Sequence, residues 1–148
     1  MKTYKAMEIA NFFVDKANEN DEEMTNLKLQ KLVYFAKGFS LALFDKPLFR
    51  DLVRAWKWGP VVPDVYHAYK VFGSGPIPSV DFYSPVVDEE TTQLLDRVYK
   101  NYGHLSGPTL SNLTHKKGTP WHQCYEEELS RRIPDDVIKS HFKELVGE

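Results

Sequence analysis

Apolar residues along this chain recur mostly at the three-and-four spacing of amphipathic helices. Ala6, Ile9, Ala10, Phe13 and Ala17 fall on one face of a helix expected from Thr3 to Ala17. The acidic stretch from Glu19 to Glu23 reads as a solvated loop. Thr25 has the side chain of an N-cap, and Met24 stands where it can fold back onto the first turn. The helix that follows is expected to reach Leu43. Leu29, Leu32, Val33, Ala36, Phe39 and Leu43 form one stripe, and Tyr34, Phe35, Leu41 and Phe44 add apolar groups around it. A helix apolar on nearly every side belongs at the centre of a core.

Beyond it the pattern changes. Phe49, Leu52, Val53, Ala55, Trp56 and Trp58 read as short strand material, and Gly59-Pro60 as a turn. On a strand, Trp56 and Trp58 would share one face and Lys57 would take the other. Trp56 is assigned to the core, while Trp58 is left between core and exposed anchor. Pro63 and Asp64 suit a helix start, with Val65, Ala68, Tyr69 and Phe72 inward and Gly73 as the stop. The segment from Gly73 to Pro85 reads as a loop, within which Phe82 and Tyr83 form a short edge strand. Asp88 caps a helix to about Tyr102, with Leu94, Leu95, Val98 and Tyr102 inward. Short helices follow at Ser106 to Thr114 and after Thr119-Pro120-Trp121. Pro134 opens the last one, with Val137, Ile138, Phe142 and Leu145 inward. The expected fold is therefore mainly α: one domain over residues 1–148, of six or seven helices around a buried central helix, with at most a small β-hairpin. No βαβ alternation is present, which argues against a doubly wound sheet.

Composition narrows the function. The net charge is −2, whereas domains that grip phosphate backbones usually carry a basic surplus, so direct nucleic-acid binding is not expected. No stretch approaches the ~18 apolar residues of a membrane span, and the N-terminal apolar run breaks at Asn11, unlike a signal peptide. The expected location is the cytoplasm. A single cysteine, Cys124, allows no internal disulfide.

Candidate chemistry is sparse. His115, Trp121, His122, Cys124 and Glu126 cluster in sequence, but His122 and Cys124 are two apart and cannot share a helix face. No metal, cofactor or catalytic residue is assigned, and an enzyme is not expected. His115 reads as a structural residue pinning the loop before Trp121. There is no P-loop and no dinucleotide fingerprint. Glu89-Glu90 and Asp135-Asp136 sit in first helical turns, where they answer the helix dipole.

Three blocks carry a resemblance. Residues Thr25 to Ala36, TNLKLQKLVYFA, residues Ala55 to Tyr66, AWKWGPVVPDVY, and LSNLTH from Leu110 to His115 followed by Pro120-Trp121 resemble, in order, the signature of the Panacea antitoxin domain, the SocA/GepA-like family of bacterial and prophage antitoxins. Trp58 stands where the family often has Tyr. The resemblance implies a mainly helical domain that neutralises a protein toxin encoded nearby, commonly by direct binding. One branch is known as an adaptor delivering its toxin to a Clp protease, and a phage-associated regulatory protein is a further alternative. Many members carry an added DNA-binding domain, and none is expected here. Thr25, Leu29, Tyr34, Trp56, Gly59, Pro60, His115 and Trp121 read as fold signature. Lys57, Trp58, Tyr66, His67 and Lys70 are the expected partner-facing residues, since the last three lie off the inward stripe of their helix.

Overall fold

Helix α2 (Asn26–Phe44) organises the molecule, because fifteen of its nineteen residues are buried. In the computed structural model, which describes residues 2–78 and 87–147, every other long element leans on it. Thr25 caps it as expected, its Oγ1 accepting from the Lys28 N–H at 3.3 Å. Around α2 pack α1 (Ala6–Glu19), α4 (Glu89–Tyr102), α5 (Gly107–Thr114) and α7 (Asp135–Leu145). Helix α3 (Pro63–Tyr69) runs into a single 3-10 turn (Lys70–Phe72), and α6 (Pro120–Cys124) is one short turn and a half. A three-stranded antiparallel sheet completes the described residues: β1 (Arg54–Trp56) lies between β2 (Gly59–Val61) and β3 (Arg131–Arg132). The fold is mainly α with a small sheet, as the periodicity predicts.

The closest helix packing is between α2 and α7. Gly38 leaves room for the Phe142 ring, which joins Tyr34, Phe35 and Phe39 in one aromatic cluster. Tyr102 of α4 closes it, stacking on Phe35 at 4.5 Å. Asp88 caps α4 by accepting from the Thr91 N–H at 2.8 Å, and the Tyr4 hydroxyl donates to its other carboxylate oxygen at 2.9 Å.

Several expectations need correction. Helix α1 starts at Ala6 rather than Thr3, because Tyr4 is extended, donating its N–H to the Leu48 carbonyl at 2.8 Å and bridging Phe49. Gly59-Pro60 is not the turn. Trp56 pairs with Gly59, so the two-residue turn is Lys57-Trp58, and strand alternation does not extend to Trp58. Trp56 is half-buried rather than core, since the edge of its strand is covered only by the two exposed residues of β3. Leu43 is 47% exposed and Leu145 55%, each at the last turn of a helix that has passed the end of the core. Ala68 is exposed because the buried stripe of α3 is only Val65 and Tyr69, and Phe72 is 37% exposed because the chain tightens into a 3-10 turn after Tyr69, which rotates later side chains off the inner face. Strand β3 was not expected: two exposed arginines carry no hydrophobic alternation. Phe82 and Tyr83 lie outside the described residues.

Gly38 supplies a test of this packing. On propensity alone, Gly→Ala inside a helix stabilises by about 1 kcal/mol. A Cβ at Gly38, however, would meet the fully buried Phe142 ring at 2.3 Å. Overpacking should win, so Gly38→Ala should lower stability by roughly 1–3 kcal/mol in denaturant titration. A gain in stability would show that α2 and α7 are not packed this tightly.

Candidate functional site: a pinned hairpin turn

Helix α2 buries polar residues as well as apolar ones, and these build the seat for the β1–β2 hairpin. Gln30 is buried, and its Oε1 accepts from the Val62 N–H at 2.9 Å while its Nε2 donates to Asn26 Oδ1 at 2.9 Å. Asn26 Nδ2 donates in turn to the Tyr66 carbonyl at 3.0 Å. A relay along one side of α2 thus fixes both the strand exit and the first turn of α3.

The turn itself is held from α5 and α6. The Ser111 hydroxyl donates to the Trp58 carbonyl at 2.5 Å, and Trp121 Nε1 donates to the Trp56 carbonyl at 2.6 Å. Thr114 donates to the Ser111 carbonyl at 2.7 Å, and Thr119 to the Thr114 carbonyl at 2.9 Å. His115 lies against Trp121 with ring centroids 4.1 Å apart, and Tyr125 stacks on the far side at 4.6 Å. Gly59 has φ +119°, a conformation that side-chain-bearing residues rarely adopt, and a Cβ there would lie 2.7 Å from Lys31 Cε. The residues read as fold signature therefore meet at this hairpin or build its support. Thr25 caps α2, Leu29 and Tyr34 are buried on it, and Trp56, Gly59, Pro60, His115 and Trp121 form or brace the turn.

What the turn presents is aromatic and cationic. Trp58 is 61% exposed, with the Lys57 ammonium 5.0 Å from its ring centroid. Tyr66 is half-buried because its ring meets Trp56 edge-on at 5.2 Å, and the exposed His67 lies 6.2 Å from the same indole. Lys70 is exposed on the 3-10 turn, next to Val71, which is 80% exposed. Of the five expected partner-facing residues, the structure thus groups Tyr66 and His67 on Trp56 and Lys57 on Trp58. Lys70 stands farther along α3's continuation.

Sequence reasoning missed Lys31. Its side chain is fully buried, and its Nζ has no hydrogen-bond partner. Burial pushes its pKa down to about 7. The signal was available: a lysine on a helix apolar on every side must be buried. His115 also has a buried Nε2 without a partner. Burial pushes its pKa down, the Lys31 charge pushes the same way, and a backbone hydrogen bond with Trp58 opposes both. Burial pushes the Cys124 thiol above its ordinary value, outweighing the opposing pull of Arg131, so the thiol stays protonated at neutral pH. Among the described residues, no three His, Cys, Asp or Glu side chains gather as metal ligands, and no helix is long and apolar enough to cross a membrane.

A buried helix carrying a hairpin whose turn is held from two further helices defines a helical domain with one braced surface turn. The chain belongs to the SocA-like antitoxin family: the model of its Panacea domain matches residues 29–122. Antitoxin SocA of Caulobacter vibrioides is similar, 33% identical over 156 aligned residues, which cover 93% of this chain and 82% of that protein. No solved structure matches the chain.

Lys31 makes stability depend on pH with a defined sign. In the unfolded chain a lysine titrates near ~10.4, well above the folded value. Between about pH 7 and pH 10 the unfolded state therefore binds more protons, and stability rises with pH there. The slope reaches at most about 1.4 kcal/mol per pH unit. Thermal melts from pH 7 to 9 should show this rise, and Lys31→Met should flatten it while melting higher at pH 7. An unchanged slope in the variant would mean that Lys31 is not the group responsible.

Proposed function

We propose that this protein is an antitoxin that neutralises a partner protein toxin by binding it directly, without catalysis, and that the Lys57-Trp58 turn is the centre of the contact. The observation that carries this reading is the exposure of Trp58 on a backbone that is pinned from behind. A large indole in water is unfavourable for an isolated domain, whereas tryptophan and tyrosine dominate the energetic centres of protein interfaces. The brace matters as much as the ring. A loop already held in place loses little conformational freedom when it binds, so more of the contact energy appears as affinity. Tyr66 and His67 pack on Trp56 as further ring surface, and Lys57 supplies positive charge beside Trp58. Membership of an antitoxin family, and similarity to Antitoxin SocA of Caulobacter vibrioides, support the same function.

The test is coexpression with the product of a neighbouring gene that arrests growth on its own. The native chain should restore growth and copurify with that product in near-equal amounts. Trp58→Ala should melt within about 0.5 kcal/mol of the native protein, as exposed positions do. It should lose rescue and weaken the complex by roughly 30-fold or more, the scale of a hot-spot truncation. Rescue should persist, with toxin abundance unchanged, in cells lacking the Clp protease. Rescue that fails in those cells, with toxin vanishing in normal ones, would instead establish delivery for proteolysis. Full rescue by Trp58→Ala would remove the turn from the interface.

A further inference from the structure

The small sheet carries three arginines, and only one of them is neutralised. In the β1–β3 register Ala55 stands opposite Arg131 and Arg54 opposite Arg132. Side chains alternate along a strand, so Arg131 belongs to one face of the sheet, and Arg54, Trp56 and Arg132 to the other. On the first face Arg131 forms an ion pair with Glu126. On the second face, among the described residues, no carboxylate answers the cations. Arg54 gives one N–H to the Ser130 carbonyl at 2.6 Å, and the exposed Arg132 has neither a hydrogen bond nor an ion pair. Residues directly opposite on antiparallel strands hold their Cβ atoms roughly 5 Å apart, where like charges repel. Composition does not force this, since the chain has 21 Asp and Glu against 19 Lys and Arg. The same face continues into rings. Trp56 Nε1 donates to Ser130 Oγ at 2.7 Å, and its indole carries Tyr66 edge-on and His67 beyond. Lys57 and the exposed Trp58 follow at the turn.

We propose that the Arg54–Arg132 face of the sheet is a docking surface for an acidic segment of the toxin, which sets an Asp or Glu carboxylate on the two guanidinium groups and its neighbouring apolar residues on Trp56 and Tyr66. Charge complementarity selects this occupant. A guanidinium is a planar fork of donors that matches the two oxygens of a carboxylate, and Arg54 keeps donors beyond the one given to Ser130. An anion between the two arginines also turns their mutual repulsion into attraction. A phosphate backbone is the poorer match. Its charges repeat along the strand, and it would run past the exposed Glu127 and Glu128 of a chain whose net charge is −2, whereas one carboxylate needs only the arginine pair. The face is open to water as it stands, so docking requires no rearrangement of the core. The inference rests on the reading of the Trp58 turn as the toxin-binding centre, and it assigns the partner a charge.

The experiment measures binding of the toxin identified by coexpression over a range of sodium chloride concentrations. For the native chain the association rate should fall as salt rises. Arg132→Gln should bind roughly tenfold more weakly and flatten that dependence, as removal of a charge facing a charge does. Arg132→Glu should bind more weakly still. Both variants should melt no lower than the native protein, because each removes one of two opposed cations. Arg131→Gln, on the opposite face, should bind the toxin as the native chain does. The salt dependence of the native chain needs no substitution, so a rate indifferent to salt overturns the proposal even where a variant fails to fold. Native-like toxin binding by Arg132→Glu overturns it as well. So does tight binding of a mixed-sequence single-stranded oligonucleotide that is lost in Arg132→Gln while toxin affinity is kept, which would assign the face to nucleic acid. If Trp58→Ala still loses the toxin in any of these cases, the turn remains the interface and only the acidic segment is wrong. If Trp58→Ala and Arg132→Glu both bind normally, the reading of the turn itself is wrong.

Discussion

The burial of α2 on all sides is the constraint on which the rest of the structure depends. A helix sunk in a core cannot leave its polar side chains to water, so each must find a protein partner or carry an energetic cost. Asn26 finds its partner in the Tyr66 carbonyl of α3 and Gln30 in the Val62 N–H just before α3, Ser40 in the Lys46 carbonyl, and Lys37 in Asp51 and Asp135. These bonds do more than satisfy donors. They fix where the hairpin leaves the core, where α3 begins and where α7 docks. The polar residues inside α2 therefore set position, while its apolar residues and the Phe142 cluster supply the bulk of the stability.

The same logic explains why a short sheet survives in a helical domain. Three strands of three, three and two residues are too little to stand alone. They are held because Ser111 and Trp121 bond the carbonyls of the turn and its entry, and because Trp56 Nε1 and the Arg54 guanidinium both reach Ser130 before β3. The result is a surface turn with core-like restraint. That combination sets Trp58 apart from exposed apolar residues such as Leu43 and Leu145, which sit at helix ends.

Much of this architecture was legible from residue order. Caps at Thr25 and Asp88, the start at Pro63 and the buried character of α2 follow from local chemistry that tertiary packing does not override. What was not legible depends on distant partners. Tyr4 leaves the helical pattern because it bridges Phe49, and β3 exists because Arg54 and Ala55 offer it an edge. The hairpin register shifted the turn by two residues, and that moved Trp58 from a strand face to the tip. Gln30 and Ser111, polar residues of the signature, bond to Val62 and Trp58, far from them in sequence. Their roles emerge only once three stretches far apart in sequence are brought under one turn.

The most direct test of the account is hydrogen–deuterium exchange of the protein alone and saturated with its growth-arresting partner. Residues 54–61 and α3 should gain protection in the complex, with the largest change at Lys57-Trp58, while the groove lined by Phe39, Leu43, Leu94 and Val98, between the C-terminal half of α2 and α4, should exchange as before. Protection confined to that groove, with the hairpin unchanged, would contradict the central claim and place the interface elsewhere on the molecule.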